Sequence, residues 1–256
     1  MRQKFVTTEN VSRFQEALAA LQRRGASEAC LVVVDGFPGL GKTTTLRHWV
    51  AQTGSVYLRA KREWTPNWFL NELLGRLNVQ PPHAFQQKYA VALKELGARQ
   101  ASAAIAKKPY GLVIDEADHI SRQSRIMETI RDLSDVIELP TILVGMGKIR
   151  DNLGLYPQIA SRISKYVRFE TASRDDVARM IAELCEVPVA SDLAGFVHQV
   201  TGGFNRETKE AIAQIERFGL RNPPKDAAGL TLADMAGEAI VNGRRTTQPI
   251  YVPEAV

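Results

Sequence analysis

Val11, Phe14, Leu18 and Leu21 recur at helical spacing and predict a helix over residues 9–24, broken by Gly25. The next apolar run, Cys30-Leu31-Val32-Val33-Val34, is largely β-branched and has no polar interruption, as in a strand buried on both faces. A glycine-rich turn and a helix over about 42–52 follow. The pattern continues with a strand at 55–60, a helix at 64–77 entered through Thr65-Pro66, a break at Pro81-Pro82 and an Ala-rich helix at 85–106. Further strands are expected at 111–115, 141–144 and 165–169, with helices at 120–133 and 157–164 between them. Beyond Glu170 only helices are expected. Ser173 with Asp176 opens one that reaches Cys185, in an acidic variant of the capping box. Ser191-Asp192 opens the next, a third covers 206–218, and a fourth covers 230–241 after a turn-rich loop at 219–229. Strands alternating with helices, then helices alone, predict a parallel α/β domain followed by a small helical one.

Composition narrows this little. The chain has 256 residues, 45% of them apolar and 24% charged, as in ordinary globular proteins. Its two cysteines, Cys30 and Cys185, sit in apolar surroundings and are expected as buried thiols rather than a disulfide framework or a zinc site. No apolar run approaches the roughly 18 residues of a membrane span, and Met1 to Phe5 does not open a secretory signal. A cytoplasmic protein without a membrane partner is expected. The net charge, 33 − 28 = +5, suits a polyanionic partner without requiring one.

The chemistry concentrates in one place. Gly36-Phe37-Pro38-Gly39-Leu40-Gly41-Lys42-Thr43 matches G-x-x-x-x-G-K-[ST] between the first buried strand and a helix. Glycines allow a loop whose N–H groups turn inward around phosphate oxygens, and the helix N-terminus adds partial positive charge. Lys42 is placed to reach the β/γ-phosphates, and Thr43, with Thr44 beside it, to offer a hydroxyl near Mg²⁺. Downstream, the apolar Leu112-Val113-Ile114 ends in Asp115-Glu116. Asp115 is the candidate to hold Mg²⁺ through water and Glu116 the candidate general base.

With these motifs the chain resembles the AAA+ ATPases. That resemblance implies ATP and Mg²⁺ as cofactors and a five-stranded sheet in the order 5-1-4-3-2. It also implies a core at 26–171 after an N-terminal helical segment at 1–25, a helical lid at 172–242 and a basic, proline-containing tail at 243–256. Arg206, in Thr201-Gly202-Gly203-Phe204-Asn205-Arg206, takes the place of the family's sensor II arginine. Arg162 takes that of the arginine finger acting on a neighbouring subunit's nucleotide, with Arg150 as a rival and a helix-end ion pair as the alternative. The fourth strand departs from the pattern: Gly145-Met146-Gly147-Lys148 offers no polar sensor I residue.

Within that family the chain is similar to the transposition target-selection ATPases of the MuB and TnsC type, in a short form. The similarity lies in the Val56-Tyr57-Leu58-Arg59 strand, the Trp64-Thr65 helix start, the 112–116 strand and the Gly145-containing strand end. It implies an ATP-dependent, largely sequence-nonspecific binder of double-stranded DNA that forms a homo-oligomeric helical filament or ring. The expected partner is a transposase, in a bacterial or phage-infected cytoplasm. Arg59, Lys61 and Arg62, at the exit of the second strand, are the best DNA candidates, with Arg122 and Arg125 next; singly, each reads equally as a solvated charge. Arg244-Arg245 in the tail are open between DNA, the transposase and no role. A DnaC-like helicase loader is the alternative function.

Overall fold

All five core strands join one parallel sheet in the computed structural model of the chain, in the order β2-β3-β4-β1-β5, which is the expected 5-1-4-3-2 read from the other edge. The strands are β1 (Leu31–Asp35), β2 (Val56–Arg59), β3 (Leu112–Asp115), β4 (Thr141–Val144) and β5 (Ile163–Arg168). β1 lies between β4 and β5, with Leu31 to Val34 opposite Thr141 to Val144 on one side and Asp35 opposite Arg168 on the other. Both faces of β1 are covered, which is why its sequence is an unbroken apolar run. The structure describes residues 1–23, 25, 28–224 and 227–254, apart from the side chain of Gln22. Expectations that fall on Arg24 in the first helix, Ala26 and Ser27 at the core boundary, Lys225 and Asp226 in the loop, and Ala255 and Val256 in the tail lie outside the described residues.

Two compact units result. One comprises Arg13–Phe37 and Lys42–Phe169; the other comprises Met1–Ser12, Pro38–Gly41 and Glu170–Val256. In the sheet unit the core runs from Leu31, Val33, Leu58 and Ile114 to Leu70, Leu73, Ile126 and Ile130. Truncating one such leucine to alanine costs about 2–5 kcal/mol. The helices here include α2 (Lys42–Thr53), α3 (Pro66–Arg76) and α4 (Phe85–Ile105), while α1 (Glu9–Gln22) precedes β1. Thr65 caps α3 by accepting from Trp68 N at 3.2 Å, with Pro66 at the first helical position, so Thr65-Pro66 was a sound start signal. The helix expected at 120–133 instead begins later, as α5 (Ser124–Val136), because a single tight turn at Ala117–His119 and a bend through Gln123 come first. A helix that was not expected, α6 (Ile149–Gly154), follows β4, and the helix expected at 157–164 is shortened to α7 (Pro157–Ala160) because β5 begins two residues early, at Ile163.

The second unit has its own core, built from Val177, Ile181, Leu193, Val197, Ile212 and Ile215 of α8 (Arg174–Leu184), α9 (Ser191–Thr201) and α10 (Asn205–Arg221). Ser173 accepts from Asp176 N at 3.1 Å, as the capping pattern indicated. The Asp176 carboxylate in turn accepts from Glu9 N at 3.1 and 3.2 Å, and Asn10 exchanges two hydrogen bonds with the Glu170 backbone, at 2.7 and 2.9 Å. The expectation of helices alone fails at the end of the chain. Instead of a helix over 230–241 and a tail, there is a short turn at Ala233–Met235 and an antiparallel hairpin of β6 (Ala239–Asn242) and β7 (Pro249–Tyr251). Met235, Ile240, Val241 and Val252 enter the core of this unit. No helix among the described residues is long and apolar enough to cross a membrane.

Candidate active site

The loop between β1 and α2 is built on three glycines in the left-handed half of backbone space: Gly36, Gly39 and Gly41, at φ 145°, 91° and 87°. A side chain at any of them would strain the turn. Lys42 is buried, and its Nζ donates to Gly36 O at 2.5 Å and Phe37 O at 2.9 Å. Burial pulls the lysine pKa down, against the opposing pull of Asp115, Asp118 and Asp35. Phe37 and Thr44 are exposed.

Asp115 ends β3 with its carboxylate gripped from three sides. Thr43 Oγ1 donates to Oδ2 at 2.8 Å, Tyr57 OH to Oδ2 at 2.7 Å, and Glu116 N to Oδ1 at 2.9 Å. The loop threonine and the strand-end aspartate, 72 positions apart, are thus brought together as the motifs required. Tyr57 was not singled out by its sequence. Burial, then the bond to Asp115, pushes its pKa up to about 12, so it keeps its proton and donates. Arg47 lies over its ring at 5.4 Å.

Glu116 follows in the left-handed region at φ 56°, unusual for a residue with a side chain. Arg59, at the end of β2, forks onto its carboxylate: Nε to Oε2 at 2.7 Å and Nη2 to Oε1 at 2.5 Å. That pairing holds the Glu116 pKa below the usual carboxylate range, burial opposing it. Asp118 is the second residue the sequence reading missed. Its Oδ2 accepts from Met146 N, just past β4, and its Oδ1 is buried without a hydrogen-bond partner. Gly145 makes this possible, since a Cβ there would lie 2.5 Å from Asp118 Oδ2. The β3-side carboxylate of Asp118 thus lies against the end of β4, where the sequence offers no polar side chain.

The basic candidates divide. Arg59 is engaged with Glu116, and Lys61 pairs with Glu72 and stands 5.1 Å over the Trp68 ring. Arg62, Arg122 and Arg125 are exposed. Gln123 Nε2 donates to Arg62 O at 2.9 Å, which joins the segment after β2 to the one before α5. Arg122 Nε also donates to Asn152 at 2.9 Å. Arg162 Nε donates to Asp135 at 2.7 Å, the helix-end pairing that was the alternative to a finger role; the rival Arg150 lies over Tyr166 at 4.8 Å. Arg206 is exposed at the start of α10, its backbone N–H donating to Gly39 O at 3.3 Å.

A parallel sheet in this strand order, a phosphate-binding loop after β1 and an Asp-Glu pair after β3 together define a P-loop ATPase of the AAA+ type. The AAA domain family matches residues 23–153, just over half of the chain, and the chain belongs to that family. Among solved structures it is similar to Cdc6p from Pyrobaculum aerophilum (17% identity, TM-score 0.60, 86% of this chain and 65% of that one). It is also similar to the Aeropyrum pernix ORC2 protein (14%, 0.62, 86% and 66%) and to the Aeropyrum pernix ORC1 protein in complex with DNA (16%, 0.55, 86% and 62%). The chain spans just under two thirds of the length of each, and at these identities the likeness establishes the fold. No curated protein matches the chain.

Proposed function

We propose that this protein is an ATP hydrolase that binds double-stranded DNA with little sequence preference. It assembles on DNA as a helical filament with nucleotide at each subunit interface, and recruits or activates a transposase. Hydrolysis, stimulated by DNA or transposase, disassembles the filament. Lys42 and the loop amides bind the phosphates. Glu116 takes the proton of the attacking water, and Arg206 and a neighbour's Arg162 stabilise the charge that develops on the transferred phosphate. Thr43 Oγ1 and Asp115 Oδ2 are hard oxygen donors 2.8 Å apart and suit Mg²⁺, held by Thr43 directly and by Asp115 through water. Bound there, it supplies positive charge to the phosphates.

The observation that carries the DNA part is the Arg59–Glu116 fork. The arginine at the β2 exit, proposed here to meet DNA phosphate, is the group that restrains the hydrolytic base. Arg62, Arg122 and Arg125, exposed on two segments joined by Gln123, support one basic surface around it. Electron microscopy with plasmid DNA tests the reading. Continuous filaments on duplex with ATP, and none without nucleotide, are expected. Binding restricted to single strands or to a replicative helicase would instead favour a helicase loader.

A further inference from the structure

Three successive peptides of the phosphate loop are held from outside by groups far along the chain. Pro38 O accepts from Arg244 Nη2 at 2.9 Å, Gly39 O from Arg206 N at 3.3 Å, and Leu40 O from Asn205 Nδ2 at 3.2 Å. All six residues belong to one compact unit. A trans peptide sets its C=O and N–H on opposite sides. Fixing these carbonyls outward therefore turns the N–H groups of Gly39, Leu40 and Gly41 the other way, toward the side on which such a loop takes phosphate. Two of the donors come from the start of α10. The third, Arg244, comes from the turn of the β6–β7 hairpin.

Arg244 is itself tightly held. Its Nη1 donates to Glu207 Oε1 at 2.7 Å, and its guanidinium lies 3.9 Å over the Phe204 ring. The Glu207 side chain is only 12% exposed, and its second oxygen is buried without a hydrogen-bond partner. A Cβ on Gly39 would come within 3.2 Å of Arg244 Nη1, so the middle glycine of the motif also makes room for this arginine. A charged donor on a peptide carbonyl polarises that peptide and strengthens its N–H as a donor.

We propose that Arg244 is a positioning residue for phosphate binding: clamped between Glu207 and Phe204, it sets and polarises the Pro38–Gly39 peptide so that the Gly39 N–H is presented to the nucleotide. The hairpin thereby becomes part of the nucleotide site rather than a tail for DNA or transposase. The inference rests on nucleotide binding by this loop, not on any role in transposition.

The test compares the full chain with Arg244→Gln, using equilibrium binding of ADP and a non-hydrolysable ATP analogue, and amide exchange measured without nucleotide. The variant is expected to bind both nucleotides about tenfold more weakly, as loss of a hydrogen bond to a charged donor implies. Its loop amides at 36–42 should exchange faster. Arg244→Lys, which keeps a charged donor but not the fork, should recover part of the affinity, and Arg245→Gln should match the native chain. A residue that merely stabilises the hairpin would speed exchange at 239–251 and leave both nucleotide affinity and loop exchange unchanged; that result overturns the proposal. If Arg244→Gln melts the hairpin, Glu207→Gln decides. It leaves the guanidinium in place without its charge partner, and a smaller loss of affinity is expected, whereas native affinity overturns the proposal. A native chain that binds neither nucleotide would sink the ATPase reading itself.

Discussion

Arg59 closes a two-bond fork on Glu116, at 2.7 and 2.5 Å, across the ends of the neighbouring strands β2 and β3. A carboxylate with both oxygens on a guanidinium is a poor proton acceptor, because the cation stabilises its charge and holds its pKa down. In Arg59→Ala the Glu116 pKa is expected to rise, moving the acid limb of the pH–rate profile to higher pH. Hydrolysis without DNA is expected to rise about tenfold, part of the roughly 10²–10⁴-fold that a positioned base contributes. Stimulation by DNA should disappear in the same variant. Phosphate release followed across pH, with and without duplex, checks this. A variant with native basal rate and native stimulation would mean that the fork does not restrain the base. Arg59 is well exposed, so raising salt should imitate the substitution in part.

Lys42→Ala and Glu116→Gln separate binding from chemistry. Lys42 is the buried cation of the loop, and its loss is expected to abolish nucleotide binding and, with it, nucleotide-dependent DNA binding. Glu116→Gln retains the shape of the side chain but removes the base. Nucleotide binding should persist while turnover falls at least about 100-fold. Assemblies on DNA should then outlast those of the native chain. Nucleotide titration and a dissociation time course read the two effects apart, and native turnover in Glu116→Gln would assign the base elsewhere.

Tyr57 gives a test that the motifs do not contain. Its hydroxyl holds Asp115 Oδ2 at 2.7 Å, on the oxygen that also meets Thr43. Groups that orient a ligating carboxylate typically matter 10–100-fold, roughly, in metal affinity. Tyr57→Phe is expected to raise the Mg²⁺ concentration for half-maximal hydrolysis about tenfold, with little change in rate at saturating Mg²⁺. A metal titration at fixed ATP measures it.

Asp118 makes stability depend on pH. Burial raises its pKa, against the opposing effects of the Met146 N–H, His119 and Lys42. The unfolded chain releases this proton near 3.8, and the folded chain holds it to higher pH. Between those values the folded state binds more protons, so the group's contribution to stability falls as pH rises through the window and stays low above it. Asp118→Asn keeps an acceptor for Met146 and removes the charge. Its melting temperature relative to the native chain should therefore climb as pH rises from 4 to 7. Calorimetry at several pH values provides the check, and a constant difference would refute the assignment.

What the sequence revealed, and what it hid, follows from the range of each interaction. β1 was legible because burial on both faces leaves only apolar residues, and the phosphate loop because its glycines sit at φ values that other residues avoid. Thr65 and Ser173 announced helices because a cap is a contact three residues long. The β6–β7 hairpin stayed hidden. Ile240 and Val241 form a run too short to separate strand from helix, and the pairing of Ala239 with Tyr251 spans a turn with no simple two-residue signature. Tyr57 and Asp118, and the contact of Arg244 with the phosphate loop, were missed for a related reason. Each meets its partner 28 or more positions away, and nothing in its neighbourhood along the chain marks that meeting.

The role of Arg162 turns on a pairing made within one subunit. Its guanidinium is held by Asp135 at 2.7 Å, with side chains 33% and 21% exposed, so it is ordered yet accessible. A residue that only joined the start of β5 to α5 would leave hydrolysis intact when removed, apart from a loss of stability. A finger would act on the nucleotide of the next subunit, and a mixture distinguishes the two. Arg162→Ala retains Glu116 but offers no finger; Glu116→Gln retains the finger but has no base. Each alone should be nearly inactive. Mixed on DNA in equal amounts, some interfaces join an intact Glu116 to an intact Arg162, and hydrolysis should return to about a quarter of the native rate if mixing is random and each interface acts independently. An inactive mixture of co-assembled subunits would confine Arg162 to its ion pair with Asp135.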